Sequence, residues 1–132
     1  MIGNRVYGCD DCQLACPWNK FAQVSAEPDF AVRNGLDDTR LTELLAWNEA
    51  EFHARLLGSA IHAIGYERWL RNFAVGLGNA LGALDNVPPS APDASQVIAA
   101  LRARSDHLSA LMRERVAWAL QRHGESHSLE YL

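Results

Sequence analysis

The sequence predicts an all-α fold in which helical repeats follow an irregular segment that holds every cysteine. Three observations lead there. From residue 37 onward, apolar residues recur at helical spacing in segments divided by capping and stop residues. Residues 1–36 carry no sustained helical period, and nothing ahead of the cysteines reads as a strand. The helical part also repeats itself at an interval of 43 residues.

The elements follow in order. Gly3, Gly8, Gly35, Pro17 and Pro28, with the crowded cysteines, make residues 1–36 loop, relieved by a turn or two of helix between Cys12 and Phe21. In "DDTRLTELLAW", Asp38 or Thr39 reads as a helix start, with Leu41, Leu44 and Leu45 on one face. In "NEAEFHARLLG", Asn48 reads as an N-cap, Glu51 as its capping-box partner and Gly58 as a stop. "YERWLRNFAVGLGNALGAL" reads as one long helix with Trp69, Phe73, Leu77, Leu81 and Leu84 at helical spacing. Its Gly76, Gly78, Ala80 and Gly82 permit close helix approach, and glycine's poor helix propensity asks packing to compensate. "NVPPSAP", residues 86–92, is a break. "DASQVIAALRAR" and "DHLSALMRERVAWALQRHG" are two further helices, with Asp106 in the turn between them, Gly124 as the last stop and a frayed tail beyond.

The repeat aligns Phe73, Ala74 and Leu77 with Val116, Ala117 and Leu120. Paired helices at a period in the low forties are the range of HEAT and armadillo units, and "MRERVAWAL" resembles the second helix of a HEAT unit. The bland competitor is a plain α-bundle with coincidental similarity; on the HEAT-like reading the chain divides into a cysteine segment, 1–36, and a HEAT-like domain, 37–132.

Composition bounds the function classes. Hydrophobic residues at 48% and charged residues at 21% describe an ordinary globular chain of 132 residues. No apolar run approaches a membrane span, and the first twenty residues hold no secretory pattern, so a cytoplasmic protein is expected. Three close cysteines in that compartment point to metal or redox chemistry rather than a disulfide framework. The net charge of −4 argues against a chain that is basic all over, but Arg55, Arg68 and Arg71 lie within one stretch against a single acid, Glu67.

The cysteines, Cys9, Cys12 and Cys16, are spaced C-x2-C-x3-C and followed by Pro17. A zinc site would need a fourth ligand, with His53 or His62 as candidates, and the spacing is unusual for zinc. A thioredoxin-like pair would open a helix after a strand. A radical enzyme's cluster has its two gaps in the opposite order. Half of a two-cluster ferredoxin run, C-x2-C-x2-C-x3-C-P, accounts for the odd count, because there the cysteine before the proline ligates the other cluster. Cys9 with Cys12, and Cys16 alone, would then serve two clusters whose remaining ligands lie elsewhere. Incidental thiols are the bland alternative. Asp10 and Asp11, between the first two cysteines, either tune a cluster's potential or solvate the loop.

In "YERWLRN", Arg68, Arg71 and Asn72 are neighbours on one helix face, a grip for consecutive RNA phosphates. The competing role for Arg71 and Asn72 is structural, bonding adjacent turns. The five histidines show no metal spacing and read as surface or capping residues. Trp18, Trp47, Trp69 and Trp118 read as core or interface anchors.

"GNRVYGCDDCQLACPWNKFA" and "LTELLAWNEAEFHARLLGSAIHAIGYERWLRNFAVGLGNAL" together resemble the C-terminal part of epoxyqueuosine reductases. The resemblance is strong from Gly3 to about Ala83 and weaker beyond. It implies an oxidoreductase acting in the last step of queuosine biosynthesis in tRNA. It further implies two 4Fe-4S clusters, a cobalamin-binding catalytic domain outside this chain, and a HEAT-like domain that holds the anticodon region of tRNA. Cys9 and Cys12 would ligate the cluster nearer solvent and Cys16 the one nearer cobalamin. With the first cysteine run and the cobalamin domain absent, the chain alone would be a catalytically inert piece. The rival from another class is an α-helical protein-interaction module with a structural zinc ion or no metal.

Overall fold

The computed structural model describes residues 3, 5–84 and 90–122. Among them the chain forms α1 (Asp11–Leu14), α2 (Leu41–Ala46), α3 (Glu49–Leu56), α4 (Tyr66–Ala83), α5 (Pro92–Arg102) and α6 (Ala110–Gln121), with short 3-10 turns and no strand. The all-α class is as expected.

Helix boundaries follow local chemistry where the chemistry is local. At α3 the capping box forms as read: Asn48 accepts from the Glu51 amide, and the Glu51 carboxylate accepts from the Asn48 amide. Gly58, just past its end, takes a positive φ of 81°. Two starts differ from expectation. α2 begins at Leu41 because the Thr39 hydroxyl donates to the Gly35 carbonyl instead of capping, and Arg40 takes the N-cap position. α6 begins at Ala110, with Ser109 as its cap, because Arg113 holds the carbonyls of His107 and Leu108 in the preceding turn. The Gly124 stop, the tail and residues 86–89 of the predicted break lie outside the described residues.

The core runs from Leu44 to Ala119 and centres on α4. Leu70, Phe73, Ala74, Leu77 and Leu81 of α4 are buried against Leu45, Phe52 and Leu56, and against Leu101, Met112 and Val116. Trp47 and Trp69 stack at 5.6 Å between ring centroids. Burial of these side chains is the main stabilising term, worth about 1.5–3 kcal/mol for each large one. α4 packs most extensively on α6. There a Cβ on Gly78 would lie 2.7 Å from Trp118 and 2.9 Å from Ala119, so the small residue is what lets the axes meet. Of the repeat-related pairs, Phe73 and Val116 are both buried, while Ala117 and Leu120 are half-buried where Ala74 and Leu77 are buried.

The carbonyls ending α2 take their partners from distant sequence. Arg104 donates to Leu45 and Trp47 at 2.8 Å each, Tyr66 to Trp47 at 2.6 Å, and the Trp69 indole to Leu44 at 3.3 Å. Helix-end carbonyls lack intrahelical partners, and these side chains replace water there.

Among the described residues the cysteine segment adds no buried side chain to this core, and of its apolar side chains Val6 and Leu36 pack partly against it. Among the described residues no helix is long and apolar enough to cross a membrane.

Candidate metal centre and nucleic-acid interface

The cysteine loop is shaped by its glycine and its polar side chains. Gly8 (φ 62°) and Asp10 (φ 53°) turn the chain on either side of Cys9 in the left-handed region. One helical turn follows, started by Asp10, whose carbonyl accepts from the amides of Gln13 and Leu14. Asn19 then folds back, its amide donating to the Gln13 carbonyl at 2.5 Å. That bond closes the C-P-W-N turn and holds Cys16 at the far end of α1. Asp11, one of the two acids in the motif, pairs with Arg5 at 2.5 Å and straps the loop to its own lead-in.

Cys9 and Cys12 are exposed and Cys16 is half-buried, all as free thiols. Among the described residues no three His, Cys, Asp or Glu side chains are placed to hold one metal ion. The donor set is soft thiolate, suited to iron–sulfur or zinc chemistry, but it fits part of a cluster's ligands and not a complete set. Cys9 opens onto a depression of about 460 Å³ whose other walls include Arg5, Tyr7, Asp11, Asn72 and Val75.

His53 and His62, the candidate fourth ligands, bond instead to each other, with Nδ1 of one 2.7 Å from Nε2 of the other. One ring donates and the other accepts, so at least one is neutral. Phe52 stacks beneath His62, with 20° between the rings, and Glu49 lies 3.7 Å from His53. This couple carried no sequence signal, because its members sit on different elements at no helical period.

Arg68 is exposed and Arg71 half-buried on the first two turns of α4. Neither has a hydrogen bond or an ion pair among the described residues. The adjacent acid, Glu67, instead accepts from the Ser109 hydroxyl at 3.1 Å. Two uncompensated guanidinium groups near a helix start are suited to anions. Arg55, the third member of the basic stretch, lies over the Trp47 ring at 4.8 Å. For Asn72 the structure shows one side-chain bond among the described residues. Its amide donates to the Val6 carbonyl at 2.8 Å, so that donor is committed within the chain.

Comparison with known proteins places the chain. It is 60% identical over 124 residues to an epoxyqueuosine reductase of Burkholderia pseudomallei, covering 92% of this chain and 30% of that protein. The epoxyqueuosine reductase of Pseudomonas aeruginosa is 52% identical over 96% of the chain, and that of Escherichia coli 45% over 91%. The chain spans 32% and 28% of their lengths, respectively. The expected resemblance to the epoxyqueuosine reductases is thus borne out, with this chain similar to part of those proteins. No family profile and no solved structure matches.

Proposed function

We propose that this chain is the part of an epoxyqueuosine-reducing enzyme that completes the ligand sets of its iron–sulfur clusters and presents a HEAT-like helical face to tRNA in the cytoplasm. The carrying observation is the state of the cysteine segment. Three soft donors sit in a segment that, among the described residues, adds no fully buried side chain to the core and leaves most of its large apolar side chains in water. Leu14 and Trp18 are 74% and 72% exposed, and Phe21, Val24, Phe30 and Val32 are likewise open. Apolar surface of this kind beside an incomplete ligand set marks where another stretch of protein closes over it.

In this reading Cys9 and Cys12 donate to one cubane and Cys16, ahead of Pro17, to another. When bound, such clusters pass electrons one at a time toward the site of reduction, where the resemblance implies cobalamin held by residues outside this chain. The part played by this chain's own residues is to place thiolates and to grip RNA. Arg5 holds Asp11 and Asn19 holds the end of α1, so the thiols are presented from a braced loop. Arg68 and Arg71 take successive phosphates near the anticodon, while Asn72 serves the protein itself.

The longer protein that carries this chain, loaded anaerobically with iron, sulfide and cobalamin, should reduce epoxyqueuosine in tRNA; no reduction by the loaded protein would overturn the assignment. Arg68→Gln and Arg71→Gln should each weaken tRNA binding and flatten its dependence on log salt concentration by about 1 unit. An unchanged slope would remove these arginines from the interface.

A further inference from the structure

The cysteine loop joins the helical body through two asparagines of one helix. Asn72 donates to the Val6 carbonyl at 2.8 Å and Asn79 to the Gly3 carbonyl at 2.5 Å. Both are half-buried in the middle of α4. Asparagine is a poor residue for a helix interior, because its side chain competes for backbone bonds. Two of them seven positions apart lie on one face, about 10 Å from each other at about 1.5 Å per residue. The two bonds pair Val6 with the earlier asparagine and Gly3 with the later one, so each rung holds a different point of the lead-in on the same helix face. The lead-in runs antiparallel to α4, from Gly3 beside Asn79 to Val6 beside Asn72, and delivers Cys9 to the depression that Asn72 and Val75 line.

We infer that Asn72 and Asn79 are positioning residues. They act as two amide rungs that set the cysteine loop at one place along α4, and so fix its span from the arginines at the start of that helix. The purpose of that fixed span rests on the function proposed above; the docking itself does not. Arg5, between the two acceptors, carries the register on to the loop through its pair with Asp11.

Pulsed electron-spin distance measurement tests this on the whole chain. One nitroxide is placed on Cys9, with Cys12→Ser and Cys16→Ser, and the second on the exposed face of α6 through Glu114→Cys. A single narrow distance distribution is expected. Asn72→Leu with Asn79→Leu should broaden it, each lost rung lowering the ratio of docked to undocked loop by about fivefold. Asn72→Gln, which keeps an amide donor, should restore much of the narrow component. If the leucine pair loses its helical circular dichroism, Asn72→Ser with Asn79→Ser takes its place, since serine falls short of the carbonyls without adding apolar bulk. A broad distribution in the parent chain, or a narrow one in a folded double variant, would overturn the inference. Iron content plays no part in this readout, so a failed cluster assignment would leave it standing.

Discussion

At the scale of single residues, the side chains that matter most to the helical body are Arg104 and Tyr66. Arg104 makes three hydrogen bonds to the carbonyls that end α2, and no other residue type has a planar fork able to do so. Arg104→Met should lower the unfolding free energy by about 1.5–3 kcal/mol in urea denaturation, since charge-assisted bonds are lost and the Leu45 carbonyl loses both arginine bonds, while the Trp47 carbonyl keeps Tyr66. A change within error would show that water replaces the arginine at little cost. Burial holds the Tyr66 phenol above its ordinary value, against the pull of the Arg104 charge. The fold thus favours the neutral phenol. Its contribution is whole below about pH 10, the unfolded value, and is lost as pH rises through the higher folded value. Above about pH 10 the parent chain's urea midpoint should fall faster than that of Tyr66→Phe; parallel curves would contradict the assignment.

At the scale of elements, the α4–α6 contact decides between two opposed effects of glycine. Replacing a helical glycine by alanine gains about 1 kcal/mol in propensity, whereas overpacking a tight contact costs about 1–3 kcal/mol. At Gly78 the new Cβ meets the Trp118 ring and the backbone of Ala119, neither of which can move cheaply, so Gly78→Ala should destabilise. At Gly82 the Cβ meets only the end of the Arg122 side chain, 2.7 Å away, which can swing aside. Gly82→Ala should therefore be neutral or stabilising in the same melt. The reverse ranking would mean that the helices are not in close approach at Gly78. The same contrast of near and far explains what the sequence disclosed about the elements. The Asn48 capping box was legible because both partners lie within one turn. The Arg104 and Asn72 bonds were not, since their acceptors lie 57–59 and 66 residues away and follow no period.

At the scale of the whole molecule, the chain is a well-packed helical body carrying an uncovered loop. The proposed cluster role of the cysteines rests on their spacing and the following proline alone, a pattern that can be read without the fold because metal ligands often lie close along the chain. The partnership of His53 with His62 was not legible, nor was the way Asn72 turns inward to Val6, because both depend on how separate elements are laid together. The central claim is that Cys9, Cys12 and Cys16 are shared between two clusters, the remaining ligands coming from protein outside this chain. Iron and acid-labile sulfide, counted in the anaerobically purified full-length protein and its single Cys→Ala variants, test it most directly. Two cubanes, about eight irons per protein, are expected. Cys9→Ala and Cys12→Ala should disturb the same cluster spectrum, and Cys16→Ala the other. Unchanged iron in all three variants, or a single zinc ion in its place, would contradict the account.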